Sequence, residues 1–146
     1  MAEDQVTRSV DLDADVDDVW RAVADPDERA LWLDDPDARA RRVRVDEVTA
    51  PAGDDAARRM VWTWWHPGDE GDASTVSVVV APRIGGGTRV VVTEQLVAPA
   101  PATLRASASA TAGFRSRTAV LWGHRMLGLE LLFLASRAGL AVAARV

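Results

Sequence analysis

The chain has 146 residues, of which 48% are apolar, and a formal net charge of −5. That is one domain's worth of material, enough to bury a core without metal or disulfide support. The absence of cysteine excludes disulfides, thiol nucleophiles and thiolate metal sites, and two histidines far apart in sequence, His66 and His124, do not suggest a metal motif. All 17 basic residues are arginine and 26 residues are alanine, with no lysine, tyrosine or asparagine, a bias read as that of a GC-rich bacterial genome.

The charge is unevenly spread. Residues 1–40 carry 13 acids against 4 arginines, whereas residues 101–146 carry Glu130 alone against 6 arginines. An acidic first quarter argues against nucleic acid as the main partner. Attraction between the two ends within one fold accounts for the asymmetry, and a basic C-terminal part could also favour an anionic partner. The N-terminus has neither a basic start nor an apolar core, so no signal peptide is expected and a cytoplasmic protein is the default.

In chain order, the alternation of Val6, Val10 and Leu12 predicts a strand. Val16, Val19, Trp20 and Val23 fall at helical spacing after the capping acids Asp13 and Asp15. Asp25-Pro26 ends that helix and starts a second, which runs to Leu33. The run Asp34-Asp-Pro-Asp37 reads as a turn. Strands are then predicted at 41–48, 59–65, 74–81 and 88–97, joined by an Ala-Pro-Gly loop, a polar loop at His66–Asp72 and the glycine turn Gly85-Gly-Gly87. Residues 98–113, rich in Ala, Pro, Ser and Thr, read as a loop or lid. A long helix is predicted from Phe114 to about Arg137. Gly123, Glu130 and Arg137 mark its solvent side, and Leu121, Arg125, Gly128 and Leu132 its inner side. The apolar stretch from Met126 to Ala144 contains Glu130, Arg137 and two glycines, which argues against a membrane span.

This order resembles the helix-grip fold of the START/Bet v 1-like (SRPBCC) superfamily. Within it the chain looks like bacterial homologues of the activator of heat-shock protein 90 ATPase. The resemblance is carried by Thr7 to Leu33 with Trp20 and Trp32, by Val61-Trp-Thr-Trp64, by Gly86-Gly-Thr-Arg-Val-Val-Val-Thr-Glu94, and by Trp122 with Leu127-Gly-Leu-Glu-Leu-Leu132. It implies a single α+β domain with a curved antiparallel sheet of about five strands around a long C-terminal helix and two short helices after the first strand. One departure stands out. The hairpin that relatives carry between the second helix and the strand at Arg41 is missing, so the sheet is expected to be a hairpin short.

Such folds imply a pocket between sheet and helix, which makes Trp62, Trp64, Val92, Glu94, Leu121, Arg125 and Gly128 the candidate ligand-binding residues. Glu94 shares a strand face with Val90, Val92 and Leu96, and a carboxyl group there needs a partner. Arg125 is the natural one, with His124 a neighbouring possibility. Glu94 can be a base or ligand-orienting group, a structural partner of Arg125, or a carboxylate at the sheet's end facing water. The tryptophans can stack on a ligand or simply fill the core. Gly85-Gly-Gly-Thr88 is followed by a strand and no lysine, so it is no phosphate loop, and no Gly-X-Ser-X-Gly elbow is present. Three functional classes follow: a binder of an apolar small molecule or lipid, a cyclase, aromatase or hydratase-like enzyme, and a protein-interaction module. No cofactor, metal or catalytic residue is indicated, and a homodimer or protein partner is possible.

Overall fold

The computed structural model describes the backbone of residues 5–51, 56–97 and 104–144, and the side chains of these apart from 70, 72, 104–112 and 135–144. Strand β1 (Gln5–Leu12) is followed by helices α1 (Val16–Ala24), α2 (Pro26–Trp32) and α3 (Pro36–Ala40). Strands β2 (Arg42–Thr49), β3 (Arg58–His66), β4 (Asp69–Pro82) and β5 (Thr88–Leu96) come next, then helix α4 (Leu104–Ala144). All strand pairs are antiparallel, in the order β1-β5-β4-β3-β2. The α+β helix-grip architecture expected from the sequence is therefore present.

Three local expectations are corrected. Asp34 to Asp37 is no turn but the start of α3: Asp35 accepts the Ala38 amide at 2.9 Å and Pro36 occupies the first helical turn. The polar loop after His66 shrinks to a tight turn, with His66 paired to Asp69 across it. Helix α4 begins at Leu104, so residues 104–113, expected as part of a loop or lid, are helical, as alanines at 106, 108, 110 and 112 favour. Residues 98–103 lie outside the described ones.

Register builds the inner face. Met60, Trp62 and Trp64 of β3 stand opposite Val78, Val76 and Ser74 of β4, which face Val92, Glu94 and Leu96 of β5. Leu12, Val19, Val23 and Trp32 close the core with Trp122, Met126 and Leu129 of α4. The β4–β5 turn needs its glycine. Gly87 has φ +84°, and a Cβ there would lie 2.7 Å from the Leu12 carbonyl oxygen.

The sheet ends at β2, every residue of which is exposed. Val43 and Val45 pair with Trp64 and Trp62, and Val48 with Met60, so they share the inner face but are left uncovered. Arg42, Arg44, Asp46 and Glu47 place charge along this edge, which discourages pairing with another sheet.

The phase of α4 is rotated from the expected one. The face against the sheet runs through Thr118, Trp122, Arg125, Met126 and Leu129, while Leu121 and Leu132 are half-buried. Glu130 is exposed, as anticipated. Arg137 has no described side chain. Leu129→Asp is accordingly expected to cost at least about 4 kcal/mol, Leu132→Asp roughly half that, and Glu130→Ala less than about 0.5 kcal/mol. Urea unfolding midpoints ranked otherwise would show the phase to be wrong.

Candidate functional site

Two features bear on function: a buried polar cluster under the sheet, and an open cleft by the β4–β5 turn.

The cluster is built on Trp64 and Trp122, whose rings stack at 6.1 Å with an interplanar angle of 28°. Their indole N–H groups converge on Glu94. Trp122 Nε1 donates to Oε1 at 2.7 Å and Trp64 Nε1 to Oε2 at 3.0 Å. Ser74 Oγ donates to Oε2 and accepts from Trp64 Nε1 at 2.9 Å. Sheet register explains this meeting, since Glu94 lies opposite Val76 on β4 and diagonal to Ser74. Only 2% of Glu94 is exposed.

Arg125, also 2% exposed, does not pair with Glu94. Its Nε and one terminal nitrogen hold Asp35 bidentately at 2.7 and 3.0 Å, and that nitrogen also reaches Asp37 at 3.0 Å. The guanidinium carbon sits 5.1 Å from the Trp64 ring centroid and 4.8 Å from that of Trp122. The expected Glu94–Arg125 pair is thus corrected to an indirect link. Both groups engage the same two indoles, Glu94 at their N–H edges and Arg125 at their faces, and acids from α3 supply the arginine's partners. His124, the other partner considered, is exposed.

Around Asp37 the cluster reaches the surface. Arg41 donates to it at 3.0 Å and His66 Nε2 lies 3.1 Å from its other oxygen. His66, read as a surface residue, is half-buried here. Burial alone would raise the carboxyl of Asp35, but hydrogen bonds from Arg125 and the Ala38 amide outweigh it and hold the group below its ordinary 3.8. Asp37 behaves alike: burial would raise it, and Arg41 with Arg125 brings it below the same value. These contacts also realise the attraction between the acidic first quarter and the basic C-terminal part.

The remaining candidates sit as follows. Trp62 is fully buried with its ring 5.8 Å from Trp64 in an edge arrangement, and Val92 is buried on the inner face of β5. Leu121 lies at the margin of α4's inner face. Gly128 leaves no open space, because a Cβ there would lie 3.5 Å from the Trp32 carbonyl oxygen. Four tryptophans, Trp32, Trp62, Trp64 and Trp122, fill the region between sheet and helix, while Trp20 and Trp65 are half-buried.

The cleft lies between α1, α2, the β4–β5 turn and α4, with a volume of about 660 Å³. Ala14, Ala22, Leu31, Leu132 and Phe133 supply its apolar lining, and Asp13, Asp15, Asp18 and Glu28 its acidic rim, with Arg21 the one cation of the lining. Only Leu132 of the residues expected on inner faces lines this cleft, and Leu31, expected only as part of the second helix, is 64% exposed.

No family model and no curated protein matches the sequence. Solved structures do match in shape. DynU16, a protein in the dynemicin biosynthetic locus, aligns with a TM-score of 0.57 at 19% identity over 87% of this chain, which spans only 46% of DynU16. CalU16 from Micromonospora echinospora aligns with a TM-score of 0.54 at 18% identity over 88% of this chain and 73% of its own. The protein jhp0584 from Helicobacter pylori gives a TM-score of 0.56 at 15% identity over 90% and 88%. The chain has the helix-grip fold. Among the described residues no helix is long and apolar enough to cross a membrane.

Proposed function

We propose that the protein binds a small amphipathic molecule in the cleft between α1, α2 and α4. The carrying observation is the division of space: tryptophan fills the usual interior, whereas the cleft offers about 660 Å³, within the range of roughly 300–1,000 Å³ typical of ligand sites. Leu31, Leu132 and Phe133 hold the hydrocarbon part, and the acidic rim selects a cationic or hydroxyl-bearing end. On this reading Trp62, Trp64, Val92, Glu94 and Arg125, none of which lines the cleft, belong to the filled core rather than to the site. A cyclase-like role has less support, because Glu94 is closed off from solvent under three donors.

The test is a melting-temperature screen of cationic amphiphiles, fatty acids, sterols and polycyclic aromatics. Cationic or hydroxylated amphiphiles are expected to raise the melting temperature by several degrees. Leu31→Asp, at an exposed position, should abolish that rise while leaving the free protein's melting temperature within about one degree. A screen without any shift, or a shift that survives Leu31→Asp, overturns the proposal.

The likeness of the opening segment and final helix to homologues of the heat-shock protein 90 ATPase activator points to a second reading, protein interaction. The exposed Val120, Leu127, Leu131 and Leu134 of α4 favour it.

A further inference from the structure

The sheet has a second edge, at β1, and it is built differently from the edge at β2. Strand order leaves β1 paired with β5 alone, so among the described residues its far side hydrogen-bonds to no strand. An open groove of about 490 Å³ runs along that side. One wall is the unbroken run Gln5, Val6, Thr7 and Arg8. Side chains in such a run alternate between faces, so a groove that touches all of them follows the backbone edge. The other wall is the flank of α4, through Arg115, Ser116 and Ala119.

The charge of this groove has one sign. Its lining holds two arginines and no acid, in a chain whose net charge is −5. Arg8 and Arg115 are exposed, and neither forms an ion pair among the described residues. Arg83 and Arg89, by contrast, are both held by Asp11 further along β1. The β2 edge instead mixes Arg42 and Arg44 with Asp46 and Glu47.

Arg8 also stands at a telling register position. It shares a face with Val6, Val10 and Leu12, and it lies opposite Val92 of the inner face. A cation at an inner position of an edge strand penalises a neutral or basic strand added beside it, because pairing desolvates the charge. An acid directly across removes that penalty. Arg8 is therefore a filter and not only a barrier.

We propose that the β1 edge takes an extended acidic peptide segment as a sixth strand. Backbone hydrogen bonds along Gln5 to Arg8 hold the segment. An acidic side chain stands opposite Arg8 in the groove that Arg115 also lines, and a small or apolar residue two positions away covers Val6. The groove shares no lining residue with the cleft by the β4–β5 turn, so the two sites are independent.

The probe is a short peptide alternating threonine and glutamate, titrated at low salt and followed by nitrogen-15 NMR. Peptides of the same pattern with glutamine or lysine are the controls. The glutamate peptide is expected to shift the amides of Val6, Thr7, Arg8 and Ser116. At saturation it should also slow hydrogen exchange at alternate β1 amides, the mark of a new ladder. The glutamine peptide should bind at least about tenfold more weakly, and the lysine peptide not at all. Combining Arg8→Glu with Arg115→Glu, both at exposed positions, should leave melting unchanged and reverse the preference from glutamate to lysine. Absence of shifts at about 2 mM peptide, equal binding of the glutamate and glutamine peptides, or a preference that survives the double reversal overturns the proposal. Shifts without slowed exchange, or the same shifts from free glutamate at equal concentration, overturn it as well, since the arginines then hold a small anion and not a strand.

Discussion

Glu94→Ala is expected to destabilise the protein by about 3–5 kcal/mol. Trp122 Nε1 loses its acceptor, Trp64 Nε1 keeps only Ser74, and the serine hydroxyl loses its own acceptor. Each buried donor left unsatisfied costs about 1–3 kcal/mol, with a cavity added where the side chain stood. Glu94→Gln separates the hydrogen bonds from the packing. Its amide oxygen can still accept from Trp122, and its amide nitrogen can donate to Ser74, which still accepts from Trp64. It should cost no more than about 1–2 kcal/mol. Urea unfolding followed by tryptophan fluorescence measures both. Equal losses in the two variants would mean that volume, not hydrogen bonding, holds the cluster together.

Arg125→Met is expected to cost about 3 kcal/mol. Removing one partner of a buried charge pair is strongly destabilising, and the Met stem cannot replace contacts with two indole faces. Asp35 and Asp37 keep 22% and 25% of their side-chain surface, so water partly compensates and the loss stays at the low end. Arg125→Lys should fare little better, because an ammonium cannot hold Asp35 bidentately. The loss carries a pH signature. Both carboxyls lie below 3.8 in the folded protein, so the arginine's contribution is present above that pH and fades as the pH falls through the lower folded values. Without Arg125, Asp35 keeps only backbone amides against its burial while Asp37 keeps Arg41, so protonation relieves chiefly Asp35. The stability gap between wild type and Arg125→Met should therefore be widest near neutrality and close below about pH 4. A gap constant from pH 7 to pH 3 would contradict the assigned pairing.

The fold was legible in the sequence because its signals are local and repeated. Alternation and β-rich runs marked all five strands, Asp25-Pro26 marked α2, and the triple glycine marked the last hairpin. The same Asp-Pro signal at Asp35-Pro36 reads as a turn, since α3 is only five residues long. That reading hid the partners of Arg125, because Asp35 and Asp37 reach it only from the first turn of α3. The inward placement of Glu94 followed from strand period, but its neighbours depend on cross-strand register. Ser74 and Trp64 come beside it through pairings of β5 with β4 and β4 with β3, which no local pattern specifies. The phase of α4 failed for a different reason. With apolar residues on two sides, spacing alone supports two rotations, and the bulk of Trp122 together with its bond to Glu94 selects one.

The central claim is that the tryptophan cluster is filled core and that ligands enter the cleft by the β4–β5 turn. Its most direct test is nitrogen-15 NMR of the protein titrated with an amphiphile that raises its melting temperature. The account predicts shifts at the amides of Ala14, Leu31 and Phe133, while the indole N–H signals of Trp64 and Trp122 stay in place and remain protected from exchange. Movement of those two indole signals ahead of the cleft amides would place the ligand beneath the sheet and contradict it.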